Sequence, residues 1–351
     1  MTIFGRLSSL KRKLLVSNGP GGRLAAPLRA YGKLAIAEEY LEIGCDDLQT
    51  AKEFSTWVHD GINYCWRVFG NDPVHLRQHR LLLTTDRGRI WIVACLWDSR
   101  DKRSDQGHQR SYPFTLFIVV PALVRAVHLA DVGVACEPIW RELEQHYEHV
   151  RTLGGRSECI SWVRSRSVRV RDWSPDLAAS WLGPAAAIRL RDWLATYAGP
   201  SADLEAFIAG LQHRLLQHRR GGGPEQAVWR VPLSSSLGTG AQCACWISWL
   251  SRNLGKLPQD LTVFVPQQRV GSQFDLCVIL RPPEVGDFVC LSTDEERIKR
   301  GMGERLADTG RPVAGGQRLF AEVAARLPVE RVSLADFARF EFPKPLTGRG
   351  E

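Results

Sequence analysis

The sequence predicts an α/β fold: a central, largely antiparallel (mixed) sheet flanked by helices, with a helical insertion and a helical C-terminal tail. Two apolar runs, Leu81–Thr85 and Ile90–Trp97, are joined by the short connection Asp86–Arg89, and this pattern predicts a β-hairpin. A third apolar run, Phe114–Val120, extends the hairpin into a meander. Apolar residues at helical spacing between positions 50 and 66 predict a helix that packs on this sheet.

The third strand contains the most informative part of the chain. Phe114–Val120 is almost continuously apolar, which is typical of a strand covered on both faces. The charged run 98–109 precedes it, so we expect Arg110 and Tyr112 at the mouth of the sheet. Pro113 has no N–H for a β ladder, and we expect it to begin the strand rather than lie inside a central one. Packing explains the apolar residues but does not require Arg110 or Tyr112.

The remaining patterns divide the chain into an arm, a domain with an insertion, and a tail. We expect a flexible basic arm (1–29), an α/β domain (30–292) that contains a largely helical insertion (151–225), and a helical tail (293–351). The basic run Arg164–Arg171 is interpreted as a solvated edge strand. Further helices are expected near 138–150, 184–197, 202–218 and 241–253, further strands at 261–265 and 276–280, and a short helix or turn at 284–291.

The net charge of +8 is concentrated at the N-terminus. Residues 1–37 contain seven Lys and Arg and no acidic residue, which leaves +1 for the rest of the chain. Since a dedicated nucleic-acid binder carries a basic face on its fold, this distribution disfavours that class. A solvated arm is the favoured interpretation, while contact with an acidic partner, a membrane surface or RNA stays open. No apolar run has the length of a membrane span or a signal peptide, so we expect a cytoplasmic protein.

Cysteine and histidine patterns do not indicate a metal or redox centre. The nine cysteines are scattered and are expected to be reduced, buried thiols. Cys243 and Cys245 are two residues apart and therefore point to different sides of a helix. His146 and His149 could share a helix face and bind a metal, but the sequence suggests no third ligand. We expect no metal and no cofactor.

One loop offers an enzymatic alternative. The chain contains no G-x-S-x-G elbow, no H-E-x-x-H motif and no P-loop. The segment Ser234–Gly240 precedes a predicted helix, and its hydroxyls and glycines suit a helix cap. The same groups could bind an anion or, with a histidine, serve a hydrolase. The favoured interpretation is a non-enzymatic binding or regulatory protein.

The segment Tyr31-Gly-Lys-Leu-Ala-Ile-Ala-Glu-Glu-Tyr-Leu41 resembles the N-terminal G-K-x-P-x-x-G-D-F signature of the TagF family, also called ImpM. These proteins are regulators associated with type VI secretion. Gly32 and Lys33 match the signature directly. Three differences distinguish this chain from the pattern: Ala35 replaces Pro, Glu38 and Glu39 replace Gly-Asp, and Tyr40 replaces Phe.

A second segment, Arg110-Ser-Tyr-Pro-Phe-Thr-Leu116, is similar to the family's G-R-x-[FY]-P-L-T motif. Its matching residues are Arg110, Tyr112, Pro113 and Thr115. The resemblance covers about residues 30–150 and 226–292, and none of its motifs is catalytic.

The resemblance implies a regulatory function. TagF-type proteins repress type VI secretion after translation and act on a forkhead-associated scaffold protein, which would be the partner here; a related contractile system is an alternative. The resemblance further implies that Lys33, Glu38, Glu39, Arg110 and Tyr112 line a protein-binding surface near the sheet mouth.

Overall fold

The computed structural model describes residues 16–18, 23–37, 39–69, 75–100, 111–121, 129–170, 177–219, 227–255, 257–258, 260–267, 274–292, 298 and 331–342. Its strands are β1 (Val16–Asn18), β2 (Arg23–Pro27), β3 (Arg29–Gly32), β4 (Leu41–Ile43), β5 (His79–Thr85), β6 (Ile90–Arg100), β7 (Ser111–Pro121), β8 (Ser167–Arg169), β9 (Val228–Leu233), β10 (Thr262–Pro266) and β11 (Phe274–Ile279). Its helices are α1 (Gln49–Phe69), α2 (Val132–Val150), α3 (Arg156–Arg164), α4 (Leu177–Ala186), α5 (Leu190–Ala198), α6 (Leu204–Arg219), α7 (Thr239–Leu254) and α8 (Leu334–Arg339), with 3₁₀ turns at Leu129–Asp131 and Val285–Leu291.

An eight-stranded antiparallel sheet forms the centre of the molecule, in the order β4-β3-β7-β6-β5-β10-β11-β9. The predicted fold class is confirmed. The β5–β6 hairpin also forms as predicted, and its turn residues Asp86, Arg87 and Gly88 all have positive φ. That geometry matches the twist of the two strands.

Helices cover both faces of the sheet. On one face α1 packs through Phe54, whose ring centroid lies 4.8 Å from that of Phe117 on β7. On the other face α2 places Tyr147 6.0 Å from Phe114, three residues earlier on the same strand. Because successive strand residues point to opposite faces, these two contacts show that β7 is covered on both sides. Phe114 through Val120 are accordingly all buried.

Pro113 does not begin its strand, so that expectation is wrong. β7 begins two residues earlier, at Ser111, and Pro113 lies opposite Asp98 of β6. The Pro113 oxygen accepts a hydrogen bond from the backbone N–H of Lys33, 3.1 Å away, at the point where β3 ends. The N and O of one residue face the same neighbour in an antiparallel pair, so the missing N–H faces this strand end. Pro113 therefore does not interrupt the hydrogen-bond ladder between β7 and β6.

The predicted arm, residues 1–29, lies mostly outside the described residues, which include only 16–18 and 23–29 of it. Two of its segments are strands, and β1, β2 and β8 form a small antiparallel sheet. Arg29 is buried, and its guanidinium donates to the Gly44 oxygen and to Asp47 at 3.1 Å. A count of basic residues could not show that Arg29 is buried, because its burial depends on the pairing with Asp47, which follows β4. Strand β8 lies at the edge of the small sheet, as predicted for the basic run.

Helices dominate the described part of the predicted insertion, where α3 to α6 lie. Most of the predicted tail is outside the described residues, apart from α8 and its surroundings, where Phe337 stacks on Trp249 of α7. None of the helices in the described ranges is long and apolar enough to cross a membrane.

Candidate functional site

The two family-like segments meet at the mouth of the sheet. Strand β3 pairs with β7 so that Gly32 lies opposite Phe114 and Tyr31 opposite Thr115. The Thr115 hydroxyl donates to the backbone oxygen of Tyr31 at 2.9 Å and closes the junction with a side-chain bond. Residues about 80 positions apart in the chain are therefore adjacent, because neighbouring strands lie about 4.8 Å apart.

Gly32 makes this approach possible. Its φ is +121°, a conformation that side-chain-bearing residues rarely adopt. A Cβ atom at this position would lie 2.0 Å from the Pro113 oxygen and 2.8 Å from the Phe114 Cα. Both atoms belong to the backbone of a central strand and cannot rotate away. The close approach of the Pro113 and Phe114 backbone therefore requires glycine at position 32.

Beyond Gly32, aromatic side chains gather into what we call the tyrosine cluster: Tyr31, Tyr40, His59, Trp66 and Tyr112. Tyr40 lies at its centre, with ring centroids 5.8 Å from Tyr31, 5.9 Å from His59 and 6.1 Å from Tyr112. Trp66 meets Tyr112 edge to face at 5.3 Å. The Tyr31 hydroxyl lies 3.0 Å from Nδ1 of His59. Helix α1 supplies His59 and Trp66, so three separate parts of the chain build the cluster.

Burial affects two phenols of the cluster, and a lysine lies beside a third ring. Burial, together with the neighbouring Tyr112, raises the pKa of Tyr40 to about 12. Burial also raises the pKa of Tyr31 above its ordinary value. Both phenols therefore stay protonated near pH 7 and do not act as bases. The Lys33 amino group lies 4.6 Å from the centre of the Tyr112 ring, within cation–π range.

The outer part of the cluster is accessible. Tyr31 is buried, Tyr40, Trp66 and Tyr112 are half-buried, and His59 is exposed. Half-buried Tyr and Trp side chains on a rigid sheet and helix present large contact areas at little entropic cost, with hydroxyls at their edges. This arrangement suits the binding of another protein.

The other predicted site residues are distributed as follows. Glu39 is exposed and lies 3.8 Å from Arg156 of α3, beside the cluster rather than within it. Glu38 and Arg110 lie outside the described residues. Gly32, Lys33, Tyr40, Tyr112 and Pro113 are brought together. Sequence reasoning missed His59 and Trp66, although their seven-residue spacing on a predicted helix places them on one side of it.

A second feature, a cavity of about 1030 Å³, lies along the outer side of α2 against the small sheet. Burial raises the pKa of Glu142 and lowers the pKa of His146, and these side chains lie 4.0 Å apart on its wall. Arg141 and Arg169 also line it. Both cationic and anionic side chains line the cavity, so its charge does not indicate whether a ligand would be an anion or a cation.

The two histidines considered as metal ligands pack on an aromatic ring instead. His146 and His149 lie 5.3 Å and 4.6 Å from the ring centre of Trp162. Across the part of the chain that the structure describes, no group of three or more His, Cys, Asp or Glu side chains is arranged to hold a metal ion.

The Ser234–Gly240 loop uses its polar groups internally. Gln242 accepts from the Ser234 N–H at 2.7 Å and donates to the Ser234 and Leu237 oxygens, each at 2.6 Å. The Ser234 hydroxyl lies 2.8 Å from that of Ser236. These bonds fix the loop at the start of α7, where Gly238 is the N-cap. No hydroxyl of the loop caps the helix, so the predicted side-chain cap does not form, and the Ser234 hydroxyl contacts Ser236 rather than a histidine.

The fold and cluster define an α/β protein with a partly exposed aromatic cluster at the mouth of an antiparallel sheet. No protein-family model matches the sequence, and no curated protein matches it. Among solved structures, the chain is similar to the crystal structure of PA0076 from Pseudomonas aeruginosa PAO1 at 2.05 Å resolution, with 14% identity and a TM-score of 0.31. The match covers 42% of this chain and 64% of that one, which is less than two thirds of its length. A similarity this weak carries no argument about function.

Proposed function

We propose that this chain is a non-enzymatic regulator that binds another protein through the tyrosine cluster. Following the resemblance to the TagF family, the process it regulates is type VI secretion or a related contractile system. Its mode of action is post-translational repression through a forkhead-associated scaffold protein in the cytoplasm.

The observation that supports this proposal is the convergence of the two family-like segments on one accessible surface. The pairing of β3 with β7 explains why Gly32 and Thr115 are needed, since both lie where the two strands meet. It does not account for Tyr40 and Tyr112, whose rings contact each other at 6.1 Å and remain half-buried. Aromatic side chains of this kind supply much of the affinity in protein interfaces.

The experiment is a binding measurement with a double variant, Tyr40→Ala/Tyr112→Ala, against purified forkhead-associated and secretion-baseplate proteins. Removal of two central aromatic side chains costs about 2 kcal/mol or more when they are interface hot spots, so we expect affinity to fall by roughly thirtyfold or more.

The control is His149→Ala/Trp162→Ala, which removes an accessible aromatic pair outside the cluster, with ring centroids 4.6 Å apart between α2 and α3. This control is expected to bind like the original protein. Equal binding by the cluster variant, with an unchanged circular dichroism spectrum, would contradict the proposal. Loss of binding in both variants would show that the effect is not specific to the cluster.

A further inference from the structure

Two buried thiols lie against each other at the far end of the sheet. Cys277 belongs to β11, and Cys290 belongs to the 3₁₀ turn Val285–Leu291. Their sulfur atoms are 3.3 Å apart, and the two residues are 5% and 7% exposed. Both are free cysteines. The contact was not predicted from the sequence, in which the two residues are 13 positions apart and show no redox motif.

The elements that carry these thiols are both held firmly. Strand β11 is hydrogen-bonded on each side, to β10 and to β9. The 3₁₀ turn is fixed by Arg281, which binds the two carboxylate oxygens of Asp287 at 2.6 and 2.9 Å. A capping box between Glu284 and Asp287 closes the start of the turn. The two sulfurs are therefore kept in contact by the fold rather than brought together by chance rotations.

We propose that Cys277 and Cys290 form a reversible intramolecular disulfide when the protein is exposed to a peroxide. An S–S bond is about 2.05 Å long, so the sulfurs need to approach by only slightly more than 1 Å. One thiol loses its proton and attacks a peroxide oxygen, which gives a sulfenic acid and releases water when the oxidant is hydrogen peroxide. The second thiol then attacks that sulfur, and the sulfenic hydroxyl leaves as a second water. Two thiols are oxidised and one peroxide is reduced.

Burial slows the first step of this reaction, and the contact between the two sulfurs directs the second step. The hydrogen bond with Cys277, together with burial, raises the pKa of Cys290 well above its ordinary value. The attacking species is the thiolate, so oxidation is slow compared with that of an exposed thiol. Once a sulfenic acid forms, however, the partner sulfur is already in contact with it, so the intramolecular disulfide outcompetes reactions with other molecules.

The disulfide would join the sheet to helix α1 through the turn. The Trp57 indole N–H of α1 donates to the Glu284 oxygen at 2.9 Å. The ring of Phe288 lies over Gly61, where an added Cβ would come within 2.4 Å of it. The turn that carries Cys290 is thus packed directly on α1, and a covalent tie to β11 would stabilise that contact. This inference does not depend on the function proposed for the tyrosine cluster.

The test is mass spectrometry on the folded, full-length protein treated with a small excess of hydrogen peroxide. Remaining thiols are blocked with N-ethylmaleimide, and the protein is digested without reduction. We expect a cross-linked peptide pair containing Cys277 and Cys290, a loss of two hydrogen atoms from the intact monomer, and full reversal by dithiothreitol. The oxidised protein is expected to melt at a higher temperature than the reduced protein, because the cross-link restricts the unfolded chain.

Variants serve as controls on the assignment. Cys277→Ser and Cys290→Ser should each abolish the two-hydrogen loss. Cys95→Ser should retain it, since the Cys95 thiol is buried but bonds to the Trp140 oxygen at 3.7 Å. The proposal is overturned if the folded original protein yields sulfinic acids, intermolecular dimers or other cysteine pairs in place of the Cys277–Cys290 peptide. It is equally overturned if both thiols remain alkylatable after prolonged oxidation. These readouts on the original protein stand even if a serine variant fails to fold.

Discussion

Replacement of Gly32 by alanine tests how closely the two family-like segments must approach. The new Cβ would lie 2.0 Å from the Pro113 oxygen, whereas ordinary contacts begin near 3.4 Å, so one backbone must move by more than 1 Å. That movement disturbs the hydrogen bond from the Lys33 N–H to the same oxygen. Backbone strain at φ +121° costs about 1–2 kcal/mol, overpacking about 1–3 kcal/mol, and the weakened bond about 1 kcal/mol. We expect the free energy of unfolding to fall by about 4 kcal/mol.

The assay is urea unfolding followed by tryptophan fluorescence and by circular dichroism. Gly199→Ala is the matched control, because Gly199 has a φ of +95° but no atom within 4 Å of its added Cβ. That variant should lose only the backbone contribution, about 1–2 kcal/mol. If Gly32→Ala costs no more than Gly199→Ala while the spectrum of the folded protein is unchanged, the added Cβ does not clash with the Pro113 backbone as expected.

Two further predictions concern buried ionisable side chains. Burial lowers the pKa of His79 to about 4, so between pH 6.5 and 4 the unfolded chain binds a proton that the folded protein does not. The free energy of unfolding should therefore fall by about 3 kcal/mol as the pH drops through that window. Urea unfolding at pH 7.5 and 4.5 should show a smaller fall for His79→Gln. Equal falls in the two proteins would contradict the lowered pKa of His79. Arg80 on β5 binds Glu144 at 2.7 Å and Glu137 at 3.0 Å on α2. Arg80→Met should destabilise the protein by about 3 kcal/mol in urea unfolding at pH 7, because Glu137 and Glu144 would lose the cation that they share; a cost below about 1 kcal/mol would contradict this role of the ion pairs.

Local patterns were sufficient to predict much of the fold. The Asp86–Arg89 turn, the apolar run Phe114–Val120 and the periodic helix near 50–66 each contain their own signal within a few residues. The short strands β1, β2, β3, β4 and β9 were missed. Three to six residues give too little periodicity, and partners far away in the chain decide whether such segments become strands.

The candidate site was predictable only in part. Gly32, Lys33, Tyr40, Tyr112 and Pro113 were selected from the family-like segments, and the structure brings them together. The residues added by α1 could not be assigned to the same surface, because nothing local indicates where a helix lies against a sheet. The thiol pair and the burial of Arg29 were also not predicted, because both depend on contacts between a strand and a segment that follows it in the chain.

The sequence by itself determined the antiparallel meander, the helix that packs on it, and the small net charge of +1 beyond the first 37 residues, because turn chemistry, periodicity and charge are local properties. Only the tertiary structure decided that β3 ends beside Pro113, that five aromatic side chains form one cluster, and that Cys277 contacts Cys290. Each of these depends on the register between strands or on packing between elements distant in the chain, and such contacts are set by the burial of the whole core.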